Sequence, residues 1–293
     1  MRRLSDRFMT ALTSGFLSKL THKVRQDKDL DLEIRENYLN IYYKGNSLLK
    51  LDEQASGQFR VDLHPKFAAG LMLPTHLMDE ATTSGFLQGI PALKERIIQY
   101  GQSSLETEYE QLLIRANNLE QRTNSDYFVV DRQYAVSSIG RFDLTGFVWQ
   151  RQGRKRGQEV PLCFMELKYA LNPDIQNVHE QISRYYESIK ADASALAEEV
   201  QGVFRQKLAL GLFDQPQDRL EALQTLRFSN DVNRYQFIVV LIDYNPYSTL
   251  FNLAALKALP FANQIRVFYG GLAMWQTNLT TLPKNAASDE SDA

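Results

Sequence analysis

The run Pro161-Leu162-Cys163-Phe164-Met165-Glu166-Leu167-Lys168 constrains this chain more than any other stretch. Its apolar start predicts a buried strand, and the two-residue period of a strand puts Glu166 and Lys168 on one face. A covered strand therefore shows one carboxylate and one amine side by side. Upstream, the strand-like run from Ile139 through Asp143 to Trp149 carries one acid among apolar and aromatic neighbours, where an unpaired charge is costly. Asp143 needs a partner. A divalent cation held by Asp143 and Glu166, with Lys168 beside it, would satisfy all three charges and is the arrangement that phosphodiester hydrolysis requires.

The pattern along the chain supplies a setting for these residues. A helix is expected over Leu105 to Ala116, with Leu105, Tyr109, Leu112, Leu113 and Ala116 as its apolar stripe. Strands follow near Tyr127 to Val136, Gly140 to Trp149 and Pro161 to Tyr169, then a long helical region from Asp174 to about Gly211. Tyr235 to Ile242 is a continuous apolar run of the kind found inside a covered sheet. Ile265 to Tyr269 reads as the last strand. On the helix after the Glu166 strand, Gln181 and Tyr185 are four residues apart and share a face.

This arrangement resembles the PD-(D/E)xK nuclease superfamily, the fold of many restriction enzymes and RecB-type exonucleases. Gly140-Arg141-Phe142-Asp143 looks like the Gly-Arg-hydrophobic-Asp form of RecB-like members, with Phe142 where the family has proline, and Gln181-x-x-x-Tyr185 matches their helix motif. The order helix, three strands, helix, strand is also the superfamily's. The resemblance covers roughly residues 102 to 271. It implies an α+β chain with a restriction-endonuclease-like mixed β-sheet core flanked by helices. Asp143, Glu166 and the carbonyl of Leu167 would hold one or two Mg²⁺, with Mn²⁺ as substitute, and Lys168 would lie near the attacking water. Gln181 would touch the Lys168 end of the site or a substrate phosphate, and Tyr185 would pack or hydrogen-bond beside it, among the nucleic-acid-binding residues. The family often borrows a carboxylate from the preceding helix. Here that is Glu106 or Glu108, with Glu106 preferred for its spacing to Tyr109 and Leu113.

Residues 1–101 read as an N-terminal region, 102–283 as the nuclease-like domain and 284–293 as a disordered acidic tail. Residues 1–24 predict a basic amphipathic helix with Phe8, Leu12, Phe16 and Leu20 in its stripe, a docking face that would suit a homodimer or larger complex. Next comes an antiparallel sheet, with Lys44-Gly45-Asn46 as a hairpin turn whose tyrosines could stack bases or pack a core. Pro65 to Gly101 is a mainly helical connector punctuated by Pro74 and Pro91.

Composition limits the partners. The net charge of -2 over 293 residues argues against blanket attraction to nucleic acid, so DNA contact must come from local patches. Arg151, Arg154, Lys155 and Arg156 form the clearest one, in the turn that joins the Asp143 and Glu166 strands and is expected next to the metal site, where they could contact phosphate or be solvated. No run reaches membrane-span length, and the N-terminus lacks a secretory signal, which predicts a cytoplasmic protein. A single cysteine, Cys163, rules out an internal disulfide and reads as core packing. The four histidines lack metal-ligand spacing, and there is no phosphate loop for ATP. The expected function is metal-dependent DNA hydrolysis. The rival is a catalytically silent nuclease-fold subunit for DNA binding or assembly in a defence or phage-related system.

Overall fold

The computed structural model describes residues 2–101, 105–119, 124–136 and 140–279. Two helices open the chain, α1 (Asp6–Thr13) and α2 (Ser18–Gln26), where the stripe predicted one. The break falls at Gly15, where a Cβ would stand 2.9 Å from the Ala11 Cα, so only glycine lets the backbone fold back this tightly. Turning there buries Phe8, Leu12, Leu17 and Leu20 completely. Phe8 and Phe16 pack on Phe59, at 4.5 and 5.8 Å between ring centroids. The stripe thus docks on the chain's own sheet.

That sheet is an antiparallel meander of β1 (Leu30–Ile34), β2 (Tyr38–Tyr43), β3 (Asn46–Glu53), β4 (Phe59–Asp62) and β5 (His76–Leu77), with α3 (Pro65–Ala68) between the last two. Lys44 and Gly45 both have positive φ, 46° and 73°, as a two-residue type I′ hairpin demands. The tyrosines serve the interior of the fold: the Arg132 guanidinium lies 4.7 Å from the Tyr42 ring and the Lys94 ammonium 4.5 Å from that of Tyr43. Helix α4 (Glu80–Tyr100) starts from a capping box of Asp79 and Thr82 and runs straight through Pro91. Pro91 therefore does not interrupt this helix. Its ring is exposed, while Phe86, Ile90, Leu93 and Ile97 bury the opposite face, which outweighs one missing N–H.

The second half runs α5 (Leu105–Ile114) with a π-helical turn at Arg115–Leu119, β6 (Tyr127–Val136), β7 (Gly140–Val148), β8 (Glu159–Val160) and β9 (Leu162–Tyr169). There follow α6 (Val178–Ala191), α7 (Ala193–Ala209), α8 (Gln217–Thr225), β10 (Arg227–Phe228), β11 (Gln236–Ile242), α9 (Leu253–Lys257) and β12 (Ile265–Gly270). The sheet order is β12-β11-β9-β7-β6, with β6, β7 and β9 antiparallel and β9, β11 and β12 parallel. The long helical region divides at Asp192, and α8 with the small β8–β10 pair is not legible in the hydropathy pattern. The chain is thus a mixed α+β protein with an antiparallel N-terminal sheet and a mixed central sheet.

Helices cover both faces of the central sheet. Phe164 faces the α6–α7 side with Phe142, Ile182, Tyr185 and Phe204, while Cys163, Met165 and Leu167 face α5 with Leu144, Ile114 and Tyr109. Cys163 is fully buried and burial pushes its thiol pKa up, as core packing implies. The larger apolar cluster also contains the N-terminal residues, and buried ion pairs cross between the halves. Arg35 donates to Asp131 Oδ1 at 2.6 Å and Lys207 to Glu33 Oε2 at 2.7 Å. Among the described residues, no helix is long and apolar enough to cross a membrane. The acidic tail at 284–293 and Ile139 of the predicted strand lie outside the described residues.

Candidate active site

The site is built where two strands part. The β7–β9 ladder ends at Leu144 opposite Met165, and from Glu166 onward β9 pairs only with β11. Asp143 fills the fork: its Oδ2 accepts the Leu167 N–H at 2.7 Å, in place of a backbone carbonyl. The N–H and C=O of one strand residue point the same way, so the Leu167 carbonyl also faces the fork.

A local twist aims Asp143 there. Phe142 packs on Phe164 and Tyr185 on the α6 side, at 4.8 and 4.1 Å between centroids, yet Leu144, two residues on, belongs to the α5-side cluster. Strand alternation slips at Asp143. The partner strand slips at the same level: Arg132 reaches Glu110 on α5, whereas Tyr134 reaches Glu199 on α7. Gln133 lies between them, opposite Asp143, with a φ of 53° that a non-glycine residue rarely adopts. Its amide donates to Glu110 Oε1 at 2.5 Å, which ties this unusual backbone to α5.

Glu166 and Lys168 lie on one face of β9, 2% and 6% exposed. Lys168 Nζ donates to Glu166 Oε1 at 2.5 Å, and Gln181 Nε2 donates to the same oxygen at 2.5 Å. Glu166 Oε2 is buried with no hydrogen-bond partner among the described residues. Gln181 Nε2 also donates to the Tyr185 hydroxyl at 2.8 Å, which in turn donates to the Arg141 carbonyl at 3.0 Å. Tyr185 is 3% exposed, so it orients Gln181 from within the core. The expectation of Tyr185 at the nucleic-acid surface is corrected on that ground.

Helix α5 contributes through its polar face. Leu105, Leu112 and Ala116 of the predicted stripe are exposed, and Glu110 and Ile114 are buried instead, with Glu106 half-buried. Only Tyr109 and Leu113 of the stripe pack on the sheet. The reason is electrostatic: α5 crosses the sheet where Arg132 and Lys168 are buried, and the carboxylates turn inward to meet them. Glu106 faces the Tyr169 N–H and interacts with Lys168 and Asp143, and its Oε1 has no partner among the described residues. Glu108 lies on the other flank, in a groove lined by Asp29, Lys44 and Arg115.

Burial sets the charges of this site. It raises the carboxyl pKa of Asp143 and Glu106, the latter pushed further by Asp143, against the pull of Lys168. Glu166 is pushed up to about 8 by burial and then by Asp143, with Lys168 and Gln181 opposing. Glu110 is pushed up to about 7 by burial first, opposed by Arg132. For Lys168, burial works against the charge, but Glu166, Asp143 and Glu106 outweigh it and hold the ammonium.

These shifts have a sign. Carboxyls raised above their unfolded value of 4.5 stabilise the metal-free fold fully below that pH, and the contribution of Glu166 and Glu110 is lost as pH rises through 7 to 8. A bound divalent cation would reverse the trend, because it requires the ionised carboxylates. Thermal unfolding from pH 5 to 9 should therefore show Mg²⁺ stabilising the protein little at pH 5 and increasingly above pH 7. An equal Mg²⁺ effect across the range would exclude these carboxylates as its ligands.

The cations of the β7–β9 turn lie elsewhere. Asp143 is near the start of β7 and Glu166 near the end of β9, so the turn sits at the opposite edge of the sheet, about 20 Å away at ~3.3 Å per residue. It is not beside the site, as expected from chain order alone. Arg154 is also committed: it donates to the Trp149 carbonyl at 2.9 Å and to Asn124 and Ser125, and its guanidinium lies 4.5 Å from the Trp149 ring. Arg156 pairs with Glu221, while Arg151 and Lys155 are exposed. Arg154→Ser should cost about 1–3 kcal/mol in denaturant unfolding, as expected for loss of charged hydrogen bonds. A stability change below that range with weakened DNA binding would return Arg154 to a phosphate-contacting role.

A hard cation fits the residues at the fork. Asp143, Glu166 and Glu106 surround one ammonium, and two of their buried oxygens have no partner among the described residues. Among the described residues, no group of three or more His, Cys, Asp or Glu converges as a ready cage, so a cation here would draw on the Leu167 carbonyl and water as well. Glu110 is legible in sequence as the residue four after Glu106. Gln133 carries no turn signal in sequence, and its role emerges only from the backbone. Comparison with protein-family models, with curated proteins and with solved structures finds no match for this chain.

Proposed function

We propose that this chain is a metal-dependent nuclease that hydrolyses DNA phosphodiester bonds on a PD-(D/E)xK-type, restriction-endonuclease-like core. The observation that carries the reading is Glu166, whose Oε1 is held by Lys168 and Gln181 while its buried Oε2, near Asp143, has no partner among the described residues. Most buried polar atoms have a hydrogen-bond partner, and an orphan carboxylate oxygen beside a second acid suits a water molecule or a cation. Mg²⁺, or Mn²⁺ in its place, held by Asp143, Glu166 and the Leu167 carbonyl with Glu106 nearby, would supply Lewis-acid polarisation of the phosphate and a lower cost of ionising water.

The protein's own groups divide the remaining work. Gln181, braced by Tyr185, fixes the Glu166 carboxylate in one rotamer, and the twist at Gln133 holds Asp143 in the fork. Lys168 keeps its proton and presents a fixed positive charge to the attacking water and to charge growing on the scissile phosphate. Its burial excludes bulk water and strengthens that interaction.

A second reading, a binding or assembly subunit that does not cut, is favoured by one observation. Without a cation, Glu166 holds its proton near neutral pH. Purified protein incubated with supercoiled, linear and single-stranded DNA and with RNA, each in Mg²⁺ or EDTA, separates the two. Cleavage of DNA in Mg²⁺ alone is expected, and binding with no cutting of any substrate would establish the second reading.

A further inference from the structure

The C-terminal ends of β9, β11 and β12 lie on one edge, because the three strands are parallel. Lys168 ends the candidate site on β9, and the neighbouring strand ends carry a cavity of about 440 Å³ whose lining includes Asp243, Tyr244, Tyr269, Trp275 and Asn278. Ligands of open parallel sheets bind outside this same edge. The cavity is joined to the site by direct contacts. Tyr109, on the helix that bears Glu106, stacks on Tyr169 at 5.6 Å and donates its hydroxyl to Asp243 Oδ2 at 2.7 Å. The other Asp243 oxygen accepts the Leu272 and Ala273 N–H groups at 2.6 and 2.7 Å, so the lining acid is already bonded.

The rim of the cavity is aromatic and exposed. Tyr247 and Tyr269 are 64% and 57% exposed, and Tyr247 meets Trp275 edge-on at 6.5 Å. Half of the large apolar side chains exposed among the described residues fall between Tyr247 and Leu279. Aromatic side chains gathered at the mouth of one cavity, as Tyr247, Tyr269 and Trp275 are, suit a binding surface. Its lining combines the aromatic residues Tyr244, Tyr269 and Trp275 with Asn278, and the first cavity strand is one strand spacing, about 5 Å, from β9. Those are the requirements for stacking an unpaired base of a chain whose phosphate lies at Lys168. A base inside a duplex cannot present its face to such a slot.

We infer that this cavity takes an unpaired nucleobase, with Trp275 and Tyr269 as its stacking faces, and that the site therefore acts on single-stranded DNA or splayed ends. The inference rests on the nuclease reading for the identity of the bound chain. Fluorescence tests it directly, since Trp149 is 1% exposed and Trp275 is the other tryptophan. Full-length protein titrated with oligo(dT) in Ca²⁺ should lose Trp275 emission. In anisotropy measurements Trp275→Ala should bind the oligonucleotide about tenfold or more weakly, with Trp275→Phe keeping most of the affinity. Tyr269→Ala supplies a second variant, and thermal unfolding checks each fold.

The outcomes separate the two readings. DNA cleavage in Mg²⁺ with oligo(dT) binding unaffected by Trp275→Ala and Tyr269→Ala overturns the stacking inference alone. Trp275-dependent oligo(dT) binding without cleavage of any nucleic acid overturns the nuclease reading and supports the cavity. Binding unaffected by both variants, with Trp275 emission altered by deleting residues 280–293, assigns the cavity to the chain's own tail and overturns the inference.

Discussion

Asp143→Asn and Glu166→Gln should each abolish DNA cleavage in Mg²⁺ while leaving a folded protein. Either substitution removes a carboxylate charge at nearly constant volume, and the lost stabilisation of the reaction is several kcal/mol, on the order of a 10³-fold fall in rate. Asparagine can still accept the Leu167 N–H through its oxygen, and glutamine can still accept from Lys168 and Gln181. The metal-free Asp143→Asn protein should unfold at or above the wild-type temperature, because burial already disfavours that charge. Single-turnover cleavage with matched melting curves checks both statements. Wild-type cleavage by either variant would remove the assigned metal site.

Lys168→Ala should divide rate from affinity. If the ammonium assists the attacking water and the phosphate as charge develops, its loss lowers the chemical rate by about 10²–10⁴-fold and leaves DNA binding in Ca²⁺ nearly unchanged. The structure adds a second effect. Lys168 is the buried hydrogen-bond partner of Glu166, and its ammonium faces Asp143 and Glu106 as well, so its removal also lowers the stability of the folded protein. The measurement therefore compares single-turnover rates under conditions where melting curves show the variant fully folded. Reduced stability with an undiminished rate would leave Lys168 as a structural partner of Glu166 and no more.

Much of the candidate site is legible in the amino-acid sequence, for reasons of period. A strand's two-residue repeat places Glu166 with Lys168, and a helix's near-four-residue repeat places Gln181 with Tyr185. The contacts among these four side chains have that form. Periodicity does not say what a residue faces, and there the expectations fail. Tyr185 shares a face with Gln181 but is sealed behind it, against Phe142. The apolar stripe on α5 runs through leucines in the sequence, whereas buried Arg132 and Lys168 draw its glutamates inward. Hydropathy assigns carboxylates to solvent unless a buried cation from a distant part of the chain is known.

Most strands of the two large sheets, the N-terminal hairpin at Lys44-Gly45 and the pairing of Glu166 with Lys168 follow from sequence alone, because each depends on local period, turn chemistry or neighbours within a few residues, whereas the two-residue β5 falls in a segment that reads as a helical connector. Where charge meets charge was settled by the tertiary fold. The fork that turns Asp143 toward Leu167 arises from strands that stop pairing, and the left-handed Gln133 is held by a glutamate 23 residues before it. The cations between β7 and β9 are close to the site in chain order, yet antiparallel pairing carries that turn to the far edge of the sheet. The aromatic cavity joins strand ends that parallel pairing brings side by side. Such contacts come from how strands pair over long separations, which local patterns do not encode.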